Sequence, residues 1–294
     1  LAGSAIEAGD MDFYQFSLKT EAARQIKDAP GIEVYQAPAT MISLILNPAP
    51  APEGELNPFS IRDVRFALQH AVNRRFIAQE IYKGLAEPML AQVGPFDYDY
   101  LTIYNQIKEQ DITYDPDLAR QMVDKAMTEA GAVLQDGDWH FNGRPVRLNF
   151  IIRVEDERRE VGDLIRTELG NLGFTVSPTY LSFAPAILSV YSSDPQLLQW
   201  HLYTEGWGRG SADRYDFGTI NSMAAPWLGN MPGWQEVGFW QYEAPHIDDL
   251  GQRIFTGDFT SIEERDQLYV QATEACLEES IRLWVITAIN NFPA

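Results

Sequence analysis

Between positions 204 and 217 the chain reads TEGWGRGSADRYDF, a concentration of glycines, charges and aromatic rings after an apolar run. Such residues suit recognition better than turnover. Gly206, Gly208 and Gly210 would let a ligand backbone approach closely. Asp213 and Asp216 can accept hydrogen bonds from a cation such as an ammonium group. Trp207, Tyr215 and Phe217 supply apolar walls of the kind small-ligand sites use. On its own the segment serves equally well as a glycine-rich turn with its rings tucked into the core.

Other constellations are weaker. His70, His140, His201 and His246 are scattered and share no metal-ligand or triad spacing. The stretch HIDD, 246–249, could ligate a cation but has no further ligands at helical or hairpin spacing. No nucleophile elbow, phosphate-binding loop or dinucleotide fingerprint is present, and GWGRG lacks the third glycine such a fingerprint needs. No catalytic residue, metal site or cofactor is therefore expected. Cys276 is the single cysteine, which rules out an intrachain disulfide. Helical spacing sets it on one face with Tyr269 and Ala272, as a buried structural thiol with nothing basic to activate it.

The 294 residues can fill one large core or two smaller ones. With 45% hydrophobic and 12% aromatic residues the composition is that of a folded chain. Lys and Arg number 22 against 42 Asp and Glu, a net charge of −20 that would repel nucleic acid and anionic membranes. No apolar run approaches the ~18 residues a bilayer span needs. No secretory signal opens the chain, and Leu1-Ala2-Gly3 suggests a processed or cut start.

The elements that must position the 204–217 segment follow from periodicity. Residues up to 39 read as short helix, strand, helix and strand, with Ala29-Pro30-Gly31 stopping the second helix. The run TMISLILN, 40–47, predicts a strand buried on both faces. Ser60 is placed to cap a helix with Asp63 as capping-box partner; Val64, Leu68, Ala71 and Val72 form its buried stripe, and His70 falls near its polar edge. A further helical piece, 76–83, ends at Gly84. Asp115 and Pro116 open the next helix and Gly131 closes it, with Leu118, Met122, Val123 and Ala126 inward. Trp139 and Phe141 before an Asn142-Gly143 turn, with Val146, Leu148, Phe150 and Ile152 alternating after it, predict a hairpin.

A helix then buries Val161, Leu164, Ile165 and Leu169 and stops near Gly173, and a strand starts at Phe174. A helix over 183–191 leads to a strand that delivers Trp207 to its carboxyl end, where open α/β sheets bind ligands. This alternation predicts an α/β layer with parallel pairings. A helix capped by Ser261 and a strand over 282–289 finish the chain.

Several blocks together resemble one family, the extracytoplasmic solute-binding proteins of ABC importers for dipeptides and oligopeptides, some of whose members take nickel or sugars. NPFSIRDVRFALQHAVNRRFIAQEIYKGLAEP is similar to the family's most recognisable block, with Asp63-Val64-Arg65 one residue shorter than usual and Asn73-Arg74 in place of Asp-Arg. YDPDLARQMVDKAMTEAG resembles its tyrosine-Asp-Pro helix, EAGDMDF the segment before the first block, GDWHFNGRPVRLNF its tryptophan hairpin, and LIRTELGNLGFTV the following helix and strand. The matches run in family order over nearly the whole chain.

The resemblance implies a periplasmic-binding-protein-like α/β fold represented by one lobe, a mixed sheet flanked by helices, plus a remnant of the other. It implies a remnant of the first lobe and hinge at 1–39, the second, ligand-binding lobe at 40–280, and a hinge strand returning at 281–294. The implied function is capture of a peptide-like or other small solute between two lobes for delivery to a membrane permease, by a monomer without enzymatic activity. Its place would be extracytoplasmic, in the periplasm or at the cell surface, with any membrane attachment upstream of Leu1. In peptide-binding relatives the Gly-Trp strand contacts the ligand main chain, which Gly206 and Trp207 match. An aspartate three residues on holds the peptide ammonium, but Gly210 stands there; Asp213, then Asp216, are the nearest candidates. Gly208 and Arg209 complete the expected surface, Arg209 as a group that could meet an anion. The alternative reading is a hydrolase on an α/β scaffold.

Overall fold

The computed structural model describes residues 2–208, 220, 223–224, 230–233 and 236–294. Arg209, Asp213 and Asp216 lie outside the described residues. The chain begins with α1 (Ala2–Glu7) and α2 (Thr20–Ile26), then β1 (Val34–Leu46), α3 (Arg62–Ala71) and α4 (Arg74–Phe76), which runs on as a π turn over Ile77–Ile81. Next come β2 (Ala86–Pro88), α5 (Tyr100–Glu109), α6 (Pro116–Glu129), β3 (Val133–Gln135), β4 (Asp138–Phe141) and β5 (Arg144–Pro145). The second half carries β6 (Arg147–Arg153), α7 (Arg158–Asn171), β7 (Thr175–Leu181), α8 (Phe183–Tyr191) and β8 (Leu202–Gly208). It closes with α9 (Pro245–Thr256), α10 (Ile262–Glu279) and β9 (Arg282–Pro293).

The main sheet has the order β2-β9-β1-β8-β6-β7, and β3-β4-β5 form a small separate sheet. β6 runs parallel to β7 and β8, whereas β1 pairs antiparallel with β8 and β9. This mixed sheet is the α/β layer the alternation predicts: each parallel neighbour is reached through a crossover helix, α7 or α8. Ile42, Leu44, Leu148, Phe150, Ile152 and Leu202 point to one face, packed on apolar residues of α3, α6 and α7. Ile45, Ile151 and Tyr203 point to the other, under Ala186, Val190 and Tyr191 of α8. The pleat thus divides a continuous apolar run between two buried faces.

The local signals hold at several places. Asp115 accepts from the Leu118 N–H at 2.9 Å, and Ser261 accepts from the Glu264 N–H at 3.1 Å. Asn142 and Gly143 both take positive φ, 51° and 75°, as a type I′ turn requires. Two arginines of the recognisable block are structural anchors. Arg65 donates to the carbonyls of Phe59 and Glu279 and to the Glu279 carboxylate. Arg74 donates to the carbonyls of Gln69, Met89 and Trp284, tying α3, the end of β2 and β9, and burial pushes its pKa down to about 9.

Other expectations need correction. Ser60 does not cap the helix: Asn57 accepts from the Phe59 N–H and opens a 3-10 turn at Pro58–Ser60, so α3 starts only at Arg62. Leu118 is exposed, and α6 buries Ala119, Val123, Ala126 and Met127 instead. His70 is buried, its Nδ1 3.0 Å from the Thr113 carbonyl. The strand expected between the first two helices reduces to a bridge of Leu18 with Asn291. The strand that ends the opening segment and the strand expected at 40–47 are one, β1, and β9 extends to Pro293 to pair along it. The hairpin is short, because the chain leaves β5 and enters the main sheet as β6. Cys276 packs between two apolar clusters, where burial pushes its thiol up to about 12.

His201 gives the fold a pH dependence. Its Nδ1 accepts from the Asn149 N–H at 3.0 Å, so the proton sits on Nε2, and burial pushes its pKa down from 6.5 to about 4. A histidine whose folded pKa lies below its unfolded value stabilises fully above pH 6.5 and loses that contribution as pH falls towards 4. The loss amounts to about 3 kcal/mol. Thermal melts between pH 7 and 4 should show it, and His201→Asn, which keeps an acceptor but takes no proton, should flatten that part of the profile.

Candidate functional site

The parallel strands β8, β6 and β7 end on one side of the sheet. There the last residues of β8, the loop after β6 (residues 153–158), the N-terminal segment 14–20 and β9 around Asn290 enclose a cleft of about 460 Å³. Gly206, Trp207 and Gly208 all line it. The β8–β6 ladder pairs only Leu202 and Tyr203 with Phe150 and Ile151. From Glu205 to Gly208, β8 keeps β1 as neighbour on one side and has no strand on the other, among the described residues. A free strand edge of this kind can take an extended chain by main-chain hydrogen bonds.

Gly206 is glycine for a reason within the protein. A Cβ there would meet Arg158 Nη1 at 2.5 Å. Arg158, at the start of α7, lies over the strand and grips Asp156 with Nε–Oδ1 at 2.7 Å and Nη2–Oδ2 at 2.5 Å. Burial alone would raise the Asp156 pKa, but the two-pronged Arg158 contact holds it below the usual range. Gly206→Ala should therefore displace this guanidinium and cost about 1–3 kcal/mol, read as a lowered melting midpoint. Around Gly208, by contrast, a Cβ would find open space.

Next along the rim, Arg153 donates to Glu155 at 2.8 Å and to the Tyr203 hydroxyl at 3.0 Å, and its Cζ stands 4.8 Å from the Phe183 ring centroid. Glu157 accepts from the Thr20 N–H at 2.6 Å, fastening the first turn of α2 to the entry of α7, and Lys19 pairs with Glu160 at 3.3 Å. Each cation named here faces a carboxylate, and Glu157, held by a backbone N–H, leaves one carboxylate in excess among the described residues of the rim. Trp207 turns to the opposite face from Gly206, half-buried against Met41, Met89, Met223 and Trp284.

The structure thus brings together Gly206, Trp207 and Gly208, while Arg209, Asp213 and Asp216 are outside what it describes. Arg153, Asp156 and Arg158 were missed by sequence reasoning. Their signal was the charged run RVEDERRE directly after a buried strand, which places charges at a carboxyl edge. Among the described residues His246 approaches Glu279, at 3.9 Å, and no group of three or more metal-ligating side chains occurs. No helix among them is long and apolar enough to cross a membrane.

The family model for bacterial extracellular solute-binding proteins, family 5 middle region, matches residues 2–223. A comparison with curated proteins finds no match. Among solved structures the chain is similar to a mannohexaose-bound periplasmic oligopeptide-binding protein of an ABC transporter from Thermotoga maritima, at TM-score 0.79 and 18% identity, covering 100% of this chain and 53% of that one. It is similar to NikZ from Campylobacter jejuni in complex with Ni(L-His), at TM-score 0.74 and 16% identity, covering 99% and 53%. The oligopeptide-binding protein AppA from Bacillus subtilis, in complex with a nonapeptide, matches at TM-score 0.72 and 16% identity, covering 99% and 53%. The chain spans about half the length of these structures, and the likeness is one of fold.

Proposed function

The chain belongs to the bacterial extracellular solute-binding proteins, family 5, and from that premise we propose that it serves in the substrate-binding component of an ABC importer. The component captures a small solute, an oligopeptide in the first instance, and hands it to a membrane permease. Members of this family are extracytoplasmic binding proteins; attachment to the membrane through a region upstream of Leu1 and a monomeric state are part of the proposal. The observation that carries it is the free edge of β8 from Gly206 to Gly208, opening on the cleft. An extended peptide can pair with that edge while its side chains enter neighbouring pockets. Arg209, Asp213 and Asp216 follow in the sequence as candidate contacts to ligand charges. The hydrolase alternative gains nothing from the matched proteins reported above.

We assign residues 1–39 to a remnant of the first lobe, 40–280 to the second lobe, and 281–294 to a returning hinge strand. What supports this division is the long β1–β9 pairing, which runs from Val34–Pro293 to Ile45–Arg282 and has a register shift between Pro38 and Thr40. Two paired strands that outrun the rest of the sheet are a natural connection between lobes, and an irregularity there lets them bend. Mass spectrometry of solute released from the purified full-length receptor tests the function. A peptide recovered in stoichiometric amount supports the reading; turnover of ester, peptide or glycoside substrates with no bound solute would favour the enzyme.

A further inference from the structure

Glu205 precedes the Gly206-Trp207 pair and is buried in the sheet, 2% exposed. Arg282, the first residue of β9, reaches it across β1, with Nε 2.6 Å from Oε2 and Nη2 3.2 Å from Oε1. Ser43 on β1 donates to Oε2 at 2.8 Å, and Tyr191 of α8 donates to Oε1. Burial alone would raise the Glu205 pKa, but Arg282 and these donors hold it below the usual carboxylate range. The carboxylate is therefore a fixed, ionised post.

The guanidinium then does something a simple charge pair does not need. Its Nη1 donates to the Met223 carbonyl and its Nη2 to the Asn230 carbonyl at 2.8 Å, both on the chain that follows β8. Its Cζ also stands 5.6 Å from the Trp207 ring centroid, within reach of a cation–π contact. Arg282 does not line the cleft. Well-packed apolar residues can replace a buried ion pair with no loss of stability, so stability alone does not call for one here. A planar fork with five donors, anchored at one end and aimed at two carbonyls and an indole, suits orientation.

We propose that Arg282 is a positioning residue of the binding surface: anchored on Glu205, it orients the Trp207 indole and holds the main chain at Met223 and Asn230. Its relevance to solute binding rests on Trp207 being the solute's wall, but the test below needs no solute. A loss of the Trp207 signature beside an unchanged titration of Trp207→Ala would therefore sink the functional reading and leave this inference standing.

The test uses Arg282→Lys. Lysine keeps a positive charge against Glu205 but has no planar fork to span both carbonyls and the indole. The emission of Trp207 is isolated as the difference between each chain and the same chain carrying Trp207→Phe. In folded Arg282→Lys this difference spectrum should move to the red and become open to acrylamide quenching. The double variant Glu205→Gln with Arg282→Met removes both charges and leaves an acceptor for Ser43 and Tyr191; it should show the same loss. Wild-type emission and quenching in either folded variant would overturn the proposal. Should neither fold, the wild type decides. With ¹⁵N-arginine labelling, one Nε–H resonance should be displaced by the indole ring and return on Trp207→Phe, and no movement of any arginine resonance would overturn it.

Discussion

Leu148→Asp is expected to leave the chain without a stable fold. Leu148 is fully buried near the start of β6, paired with Val176 of β7, in the cluster that joins the sheet to α3, α6 and α7. A carboxylate there has no cation or donor of its own, so it must either remain charged in an apolar site or take up a proton at neutral pH. Either route, added to the lost apolar contacts, costs more than about 4 kcal/mol. That is a large part of the ~5–15 kcal/mol separating folded from unfolded domains. Leu148→Met should cost under about 1.5 kcal/mol, because volume and polarity are kept. Circular dichroism melts of both check the assignment; an unchanged midpoint for the aspartate would remove Leu148 from the core face.

The second large effect is expected at Glu205→Ala, for the opposite physical reason. Here the change removes a charge instead of adding one. It leaves the Arg282 guanidinium, 6% exposed, without its counter-ion, and it deprives Ser43 and Tyr191 of their acceptor. Breaking one partner of a buried pair typically costs about 3–5 kcal/mol, much of it the penalty of the stranded charge. The Glu205→Gln, Arg282→Met pair should recover most of that loss, since no stranded charge remains. Chemical denaturation of the single and double variants measures the difference, and equal stability of single and double would mean that stranded charge is not what costs the energy.

Local chemistry carried much of the fold on the page of the sequence. Asp115 and Ser261 announce their helices because a side-chain oxygen satisfies an otherwise orphaned N–H, and the Asn142-Gly143 turn announces itself through positive φ. Ser60 misled because Asn57, three residues earlier and followed by proline, competes for the same role and wins with an extra 3-10 turn. Leu118 misled because it lies in the first turn of α6, where the inward face is set by the small Ala119 and Ala126 that let helices approach.

The site was legible in part. A strand carrying Gly-Trp could be placed with that pair at its carboxyl end in an open α/β sheet, and the structure puts it there, beside parallel β6 and antiparallel β1. What sequence could not show is that the pleat sends Gly206 and Trp207 to opposite faces, so that the glycine serves Arg158 and the tryptophan serves Arg282. Glu205 and Arg282 are separated by 77 positions, and no spacing rule connects residues that meet only across a third strand. The family resemblance supplied order and function for the blocks but not the structural duty of Arg65 and Arg74.

Calorimetric titration of the full-length receptor, stripped and then refilled with the solute recovered from it, tests the central claim most directly when wild type and Trp207→Ala are compared. If the end of β8 is the binding surface, wild type takes one equivalent. Removal of a half-buried tryptophan wall should then weaken binding by about 2 kcal/mol, roughly thirtyfold, with little change in melting midpoint. Equal affinity in the two proteins would contradict the account and place the solute elsewhere.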